Sequence, residues 1–188
     1  ASSYTMTVDV TAVNDAPTAS NNTVTTNEDT DHTFAASEFG FTDVDGDSLD
    51  HVSIETLPSN GTLLLSGSAV SAGDQISAAN ISNLVFRPAA NANGASYDTF
   101  TFTVNDGTTD SASSYTMTVN VTAVNDAPTA SNNTVTTNED TDHTFSASEF
   151  GFTDVDGDSL DHVSIETLPS NGTLLLSGSA VSAGDQIS

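Results

Sequence analysis

A nearly perfect internal repeat constrains this chain more than any other feature. Residues 1–77 align with residues 112–188 at a fixed offset of 111, and only two positions differ: Asp9 against Asn120, and Ala35 against Ser146. Self-similarity at a long fixed period signals a tandem array in which each unit is one packing module. The cleanest punctuation is Val13-Asn14-Asp15-Ala16-Pro17, which recurs as Val124-Asn125-Asp126-Ala127-Pro128. Asn-Asp followed shortly by Pro is turn or linker chemistry. On that cut, residues 14–124 form one complete unit. Residues 1–13 are the last strand of a preceding repeat, and residues 125–188 are an incomplete following repeat that lacks its last strands. The N-terminus shows no Met, basic stretch or apolar run of a signal peptide, so the chain reads as a piece of something longer.

Within a unit the hydrophobic period is two. Tyr115, Met117, Val119 and Val121 alternate with Thr116, Thr118, Asn120 and Thr122, and Phe100, Phe102 and Val104 alternate with Thr99, Thr101 and Thr103. Such alternation marks half-buried strands, and the β-branch of Thr suits their exposed face. Shorter strands are expected at 22–26, 32–35, 51–56, 62–65 and 84–87, separated by Pro58-Ser59-Asn60-Gly61, Ser66-Gly67, Ala72-Gly73-Asp74 and Asn105-Asp106-Gly107. Helical periodicity is weak, with one turn at most over 36–41. The expected fold class is all-β: a Greek-key sandwich of about seven strands, in tandem 111-residue repeats. Residues 14–124 should be a stable fold, and 129–188 marginal alone, because they lack the three best-patterned strands.

Charge narrows the function. The chain holds 26 Asp and Glu against one basic residue, Arg87, for a net charge of -25. That excludes the Lys/Arg footprint of a nucleic-acid binder and disfavours an anionic membrane surface. No apolar run approaches the length of a membrane span. With no Cys, neither disulfides nor thiolate metal sites are available. A Cys nucleophile, a Lys base and a Gly-x-Ser-x-Gly elbow are all missing, so the chain does not read as an enzyme. The histidines, His32/His143 and His51/His162, stand on expected strands and read as surface or satisfied residues.

The acidic loops carry the strongest local motif. Asp43-Val44-Asp45-Gly46-Asp47-Ser48-Leu49-Asp50 recurs at 154–161. Carboxylates at i, i+2 and i+4 fall on one side of an extended segment. Two of them about 4 Å apart repel by roughly 1 kcal/mol in water and about 4 kcal/mol near a protein surface. No nearby basic residue offsets this, and a divalent cation would. Calcium suits the set, since it takes six to eight oxygens in flexible geometry. The loop is not an EF-hand: Gly46 stands fourth rather than sixth, and the twelfth position is Ile54 rather than Glu. Asn14-Asp15, Glu28-Asp29 and Asn105-Asp106-Gly107 are further acidic or amide clusters at expected junctions. Asn105-Asp106-Gly107 taken alone is equally well read as an ordinary turn.

In order along the chain, Val-Asn-Asp-Ala-Pro, Asn-Glu-Asp-Thr, Asp-Val-Asp-Gly-Asp-Ser-Leu, Gly-Thr-Leu and Val-Asn-Asp-Gly resemble the cadherin-like tandem repeats of giant bacterial surface proteins, including RTX-type adhesins and biofilm-associated proteins. The resemblance implies an immunoglobulin/cadherin-like sandwich, calcium at module junctions, extracellular display at the bacterial surface and a stalk role in adhesion. Its partners would be neighbouring repeats of the same chain. Carried over by position, it implies that Asn125, Asp126, Asp154, Asp156 and Asp158 share calcium with Glu28 and Asp29. Asn14, Asp15, Asp43, Asp45, Asp47, Asn105 and Asp106 would form the matching half-site of the complete unit. The Asp-Arg-Glu motif of animal cadherins has no evident copy here. The alternative is a calcium-dependent module that binds polysaccharide or a like module.

Overall fold

The computed structural model describes residues 1–188, which divide into two units, Ala1–Val124 and Asn125–Ser188. The first holds nine strands: β1 (Asn22–Asn27), β2 (His32–Thr33), β3 (His51–Thr56), β4 (Gly61–Leu65), β5 (Ser68–Ala69), β6 (Gln75–Ser77), β7 (Leu84–Pro88), β8 (Gly94–Asn105) and β9 (Tyr115–Thr122). Short 3-10 helices occupy Ala36–Phe39 and Ala78–Asn83. The strands form two sheets, ordered β1-β9-β8-β3-β6 and β2-β7-β4-β5. Every pairing is antiparallel except β1 with β9, which run parallel in the register Val24↔Val119. The two sheets enclose one apolar core, the β-sandwich expected from the sequence.

Alternation becomes burial in the central strands. Phe100, Phe102 and Val104 of β8 and Met117, Val119 and Val121 of β9 are buried, and the intervening Thr residues face outward. From the other layer come Leu63, Leu84 and Phe86, with Phe34, Phe39 and Ile81 closing the ends. Aromatic edges meet faces across this core: Phe34 and Phe100 lie 5.6 Å apart at 87°, and Phe39 and Phe102 lie 4.9 Å apart at 86°. Such pairs add about 0.5–1.5 kcal/mol beyond their buried area. Gly61 is required where β4 passes β7, since a Cβ there would collide with the Phe86 ring.

Three segments depart from expectation. The first unit has nine strands rather than seven, because β5 and β6 are too short to show a period. Residues 1–13, expected to carry a strand, form none, and Tyr4, Met6, Val8 and Val10 are all at least 78% exposed. Residues 4–11 repeat the β9 sequence except at Asp9, but no strand of this chain pairs with them. The second unit has a 3-10 helix at Ala147–Phe150 and four two-residue strands. These are β10 (Val163–Ser164) paired with β13 (Gln186–Ile187), and β11 (Leu175–Leu176) paired with β12 (Ser179–Ala180). Val181 is its one buried large hydrophobic residue.

Candidate metal centre

The complete unit gathers acidic side chains before β1 and around the loop that leads into β3. An antiparallel bridge between Thr18 and Thr42, with both N–H···O bonds at 2.8 Å, straps the segment after the linker to the residue before Asp43. The next five residues wrap around one carboxylate. Asp43 Oδ1 accepts the N–H of Asp45 at 2.8 Å and of Asp47 at 3.1 Å. Gly46, at φ 86°, supplies the left-handed residue that lets the loop close. Asp43, Asp45 and Asp47 thereby each present a carboxylate oxygen, all within 4.8 Å of one another.

Two features fit this set to a cation. Asp43 Oδ2 is buried and has no hydrogen-bond partner. A buried polar atom without a partner costs about 1–3 kcal/mol, more when charged. The chain's one Arg is committed elsewhere: Arg87 Nε and Nη2 bind Asp31 at 2.8 and 2.7 Å.

The linker and the β8–β9 loop join the same group. The Asp15 N–H donates to Asp45 Oδ2 at 2.7 Å, and Asn14 Nδ2 donates to Asp106 Oδ2 at 2.9 Å. Asp106 is largely buried, and its Oδ1 also accepts the N–H groups of Thr108 and Thr109, each at 2.7 Å. The Asn14 bond first, and the Thr109 bond next, hold its carboxyl below the usual 3.8. Asn105 serves its own loop instead: its Nδ2 donates to Asp110 at 2.7 Å and its Oδ1 accepts the Gly107 N–H at 2.6 Å. Of the seven expected half-site residues, Asp43, Asp45 and Asp47 form the cluster, Asp15 reaches it through its backbone N–H, and Asn14 and Asp106 bond each other.

Glu28 and Asp29 lie beyond the other end of β1, about 20 Å of strand away. Glu28 is only 3% exposed. Its Oε1 accepts the Val124 N–H at 2.6 Å, and its Oε2 accepts Asn93 Nδ2 at 3.2 Å. Asp29 Oδ1 accepts the Asn91 N–H at 3.1 Å. Glu28 therefore anchors the chain as it leaves β9, just before Asn125.

The second unit rebuilds the acidic loop alone. Asp154 Oδ1 accepts the N–H of Asp156 at 2.9 Å and of Asp158 at 3.1 Å, and the Asp126 N–H reaches Asp156 Oδ2 at 2.7 Å. Asn125 Nδ2 bonds the Asp126 carbonyl at 2.9 Å.

A family model for the bacterial Ig domain matches residues 14–122 and again 125–184. The chain belongs to the bacterial Ig domain family. No curated protein and no solved structure matches it. The family accounts for the sandwich and for a structural, repeated module. No helix of this Ig-domain chain is long and apolar enough to cross a membrane.

Two polar residues have surroundings that sequence reasoning did not give. Asp98, 5% exposed, accepts the N–H groups of Ser59 and Asn60 at 2.9 and 2.7 Å and so pins the Pro-Ser-Asn-Gly turn. The exposed donors of that turn were the only available signal. His51 is the other. Its Nδ1 is 2.8 Å from Asp50 Oδ2, and its buried Nε2 has no hydrogen-bond partner, with Asp110 3.9 Å away.

Proposed function

We propose that this chain is a calcium-stabilised spacer from the stalk of a large bacterial surface adhesin, displayed outside the cell in support of adhesion or biofilm formation. The observation that carries the reading is the Asp43-Asp45-Asp47 cluster, with its orphaned, buried Asp43 Oδ2 and no cationic side chain beside it. Three carboxylates on a flexible loop suit calcium, whereas magnesium demands near-ideal octahedral geometry and sheds water reluctantly. Asn14, Asp15, Asp45 and Asp106 already tie linker to loops. A bound ion would tighten that tie and set the direction in which the linker enters the module. The same reading assigns Glu28, Asp29, Asn125, Asp126, Asp154, Asp156 and Asp158 to calcium as further oxygen donors.

A spacer needs length, solubility and stiffness more than a recognition surface. Of the complete unit's phenylalanines, Phe34, Phe39, Phe86, Phe100 and Phe102 are buried and Phe41 is half-buried, and the Tyr97 hydroxyl is bound to the Asn60 carbonyl. The acidity would keep a long array soluble and self-repelling. Thermal melts in millimolar calcium, in excess magnesium and in chelator test the reading. Calcium at 100 times its Kd should add about 2.7 kcal/mol to the stability of the complete unit. An unmoved midpoint would reduce the acidic loops to ordinary turns.

A further inference from the structure

Asn-Gly is the dipeptide most prone to spontaneous loss of the side-chain amide, because glycine has no Cβ to keep its backbone nitrogen away from the asparagine Cγ. The complete unit carries two such pairs, Asn60-Gly61 and Asn93-Gly94, and both asparagines are exposed. The fold treats them differently.

Asn60 is held from three sides. Its N–H donates to Asp98 Oδ2 at 2.7 Å, its carbonyl accepts the Tyr97 hydroxyl, and its Nδ2 donates to the Tyr97 carbonyl at 3.2 Å. Gly61 opens β4, is paired with Pro88 and packs against the Phe86 ring with no room for a Cβ. Ring closure needs the Gly61 nitrogen to swing onto Asn60 Cγ, and both ends of that peptide are fixed. Asn93 lies outside regular structure, directly before β8, and its side chain makes one bond, from Nδ2 to Glu28 Oε2 at 3.2 Å. The strand it enters is interrupted at once. Gly94 pairs with Val121 and the next pair is Asp98 with Val119, so Ala95, Ser96 and Tyr97 bulge from the ladder.

We infer that Asn93 is a site of spontaneous deamidation, that Asn60 is protected by its turn, and that the product at Asn93 breaks the hold of Glu28 on the exit of β9. The Gly94 amide nitrogen adds to Asn93 Cγ and gives up its proton to water. Nδ2 takes a proton and leaves as ammonia, closing a five-membered succinimide. Water then opens the ring at either carbonyl, to an aspartate or to an isoaspartate whose extra backbone methylene sits at the start of β8. The sum is amide plus water to carboxylate plus ammonium, with no oxidant needed. Glu28 thereby loses a donor and meets a second carboxylate. It is buried and cannot turn to water, and the single Arg is bound to Asp31. Like charges repel more strongly at such a site than in water. Glu28 Oε1 is the acceptor of the Val124 N–H, so the repulsion loosens the last residue before the Asn125-Asp126 linker.

The test is incubation of the 188-residue chain at neutral pH and physiological temperature, followed by acid-specific proteolysis and mass spectrometry of the peptides holding each asparagine. Calcium has no part in the reaction, so the incubation is run in chelator and its outcome is separate from the spacer reading. Asn93 should convert several-fold faster than Asn60 in the folded chain, and the two rates should converge in denaturant. Asn93→Gln, which cannot close the five-membered ring, should leave that site unconverted. Asn93→Asp, the product itself, should lower the melting midpoint and speed hydrogen exchange at the Val124 amide. Equal rates at Asn60 and Asn93 in the folded chain, or parent-like Val124 exchange in Asn93→Asp, would overturn the inference.

Discussion

Residues 14–77 and 125–188 differ at one position, Ala35 against Ser146, yet they do not fold alike. In the first stretch Phe34 is 1% exposed and Val24 is 5% exposed; their counterparts Phe145 and Val135 are 46% and 37% exposed. The longest strand of the first stretch has six residues, and that of the second has two. What survives in both is local. The Asp-x-Asp-Gly-Asp loop, the 3-10 helix before it in the chain, and the Thr bridge beside the linker recur with nearly equal distances. What is lost is long-range. Strands β7, β8 and β9 come from residues 84–122, and they supply the partners for β1, β2, β3 and β4. Turns are therefore set by nearby residues, whereas the sandwich is set by the last third of the unit.

The sharpest way to break the comparison is to damage that last third. Phe102→Ala removes a fully buried ring against Phe39 and should cost about 3–5 kcal/mol. Thermal melting should show the cooperative transition falling steeply or vanishing, so that the complete unit comes to resemble its incomplete copy. A next-largest effect is expected at the exit of β9. Glu28→Ala leaves the Val124 N–H without its acceptor and should cost about 1–3 kcal/mol. Glu139→Ala, at the exposed equivalent position, should leave the midpoint unmoved in the same assay.

Acid should separate the two copies next. The Asn14 and Thr109 bonds lower the native pKa of Asp106, so its contribution is fully present above the unfolded value near 3.8 and is lost as pH falls through the lowered native value. Carboxyl-carbon NMR in chelator should place Asp106 below 3.8, and Asn14→Ala should move it back toward that value. Asn125 has no such partner in the second unit, so Asn125→Ala should shift no carboxyl. The smallest effect belongs to the single ion pair. Arg87 and Asp31 remain 59% and 38% exposed, so Asp31→Asn should cost about 0–1 kcal/mol by denaturant unfolding.

Much of this was legible in the sequence, for physical reasons. Alternation of Phe, Met and Val with Thr reports burial directly, and β8 and β9 follow it. The Asp43 turn is encoded within five residues, so its spacing could be read without a fold. The edge strands β5 and β6 and the 3-10 helix at Ala78–Asn83 are too short and too rich in Ala and Ser to show a period. Asp98 and Glu28 bind backbone donors 38 and 96 residues away, and no local pattern carries that information. The side chain of Asn105 faced the same difficulty: its type suits an ion, but Gly107 and Asp110 take it up.

The most direct test of the calcium assignment is isothermal titration of the 188-residue chain against its triple variant Asp43→Asn, Asp45→Asn, Asp47→Asn. The account predicts that the parent binds calcium in preference to magnesium and that the variant loses the tightest binding while keeping its fold. Absence of calcium binding by the parent, or the same affinity with the same stoichiometry in the triple variant, would contradict it.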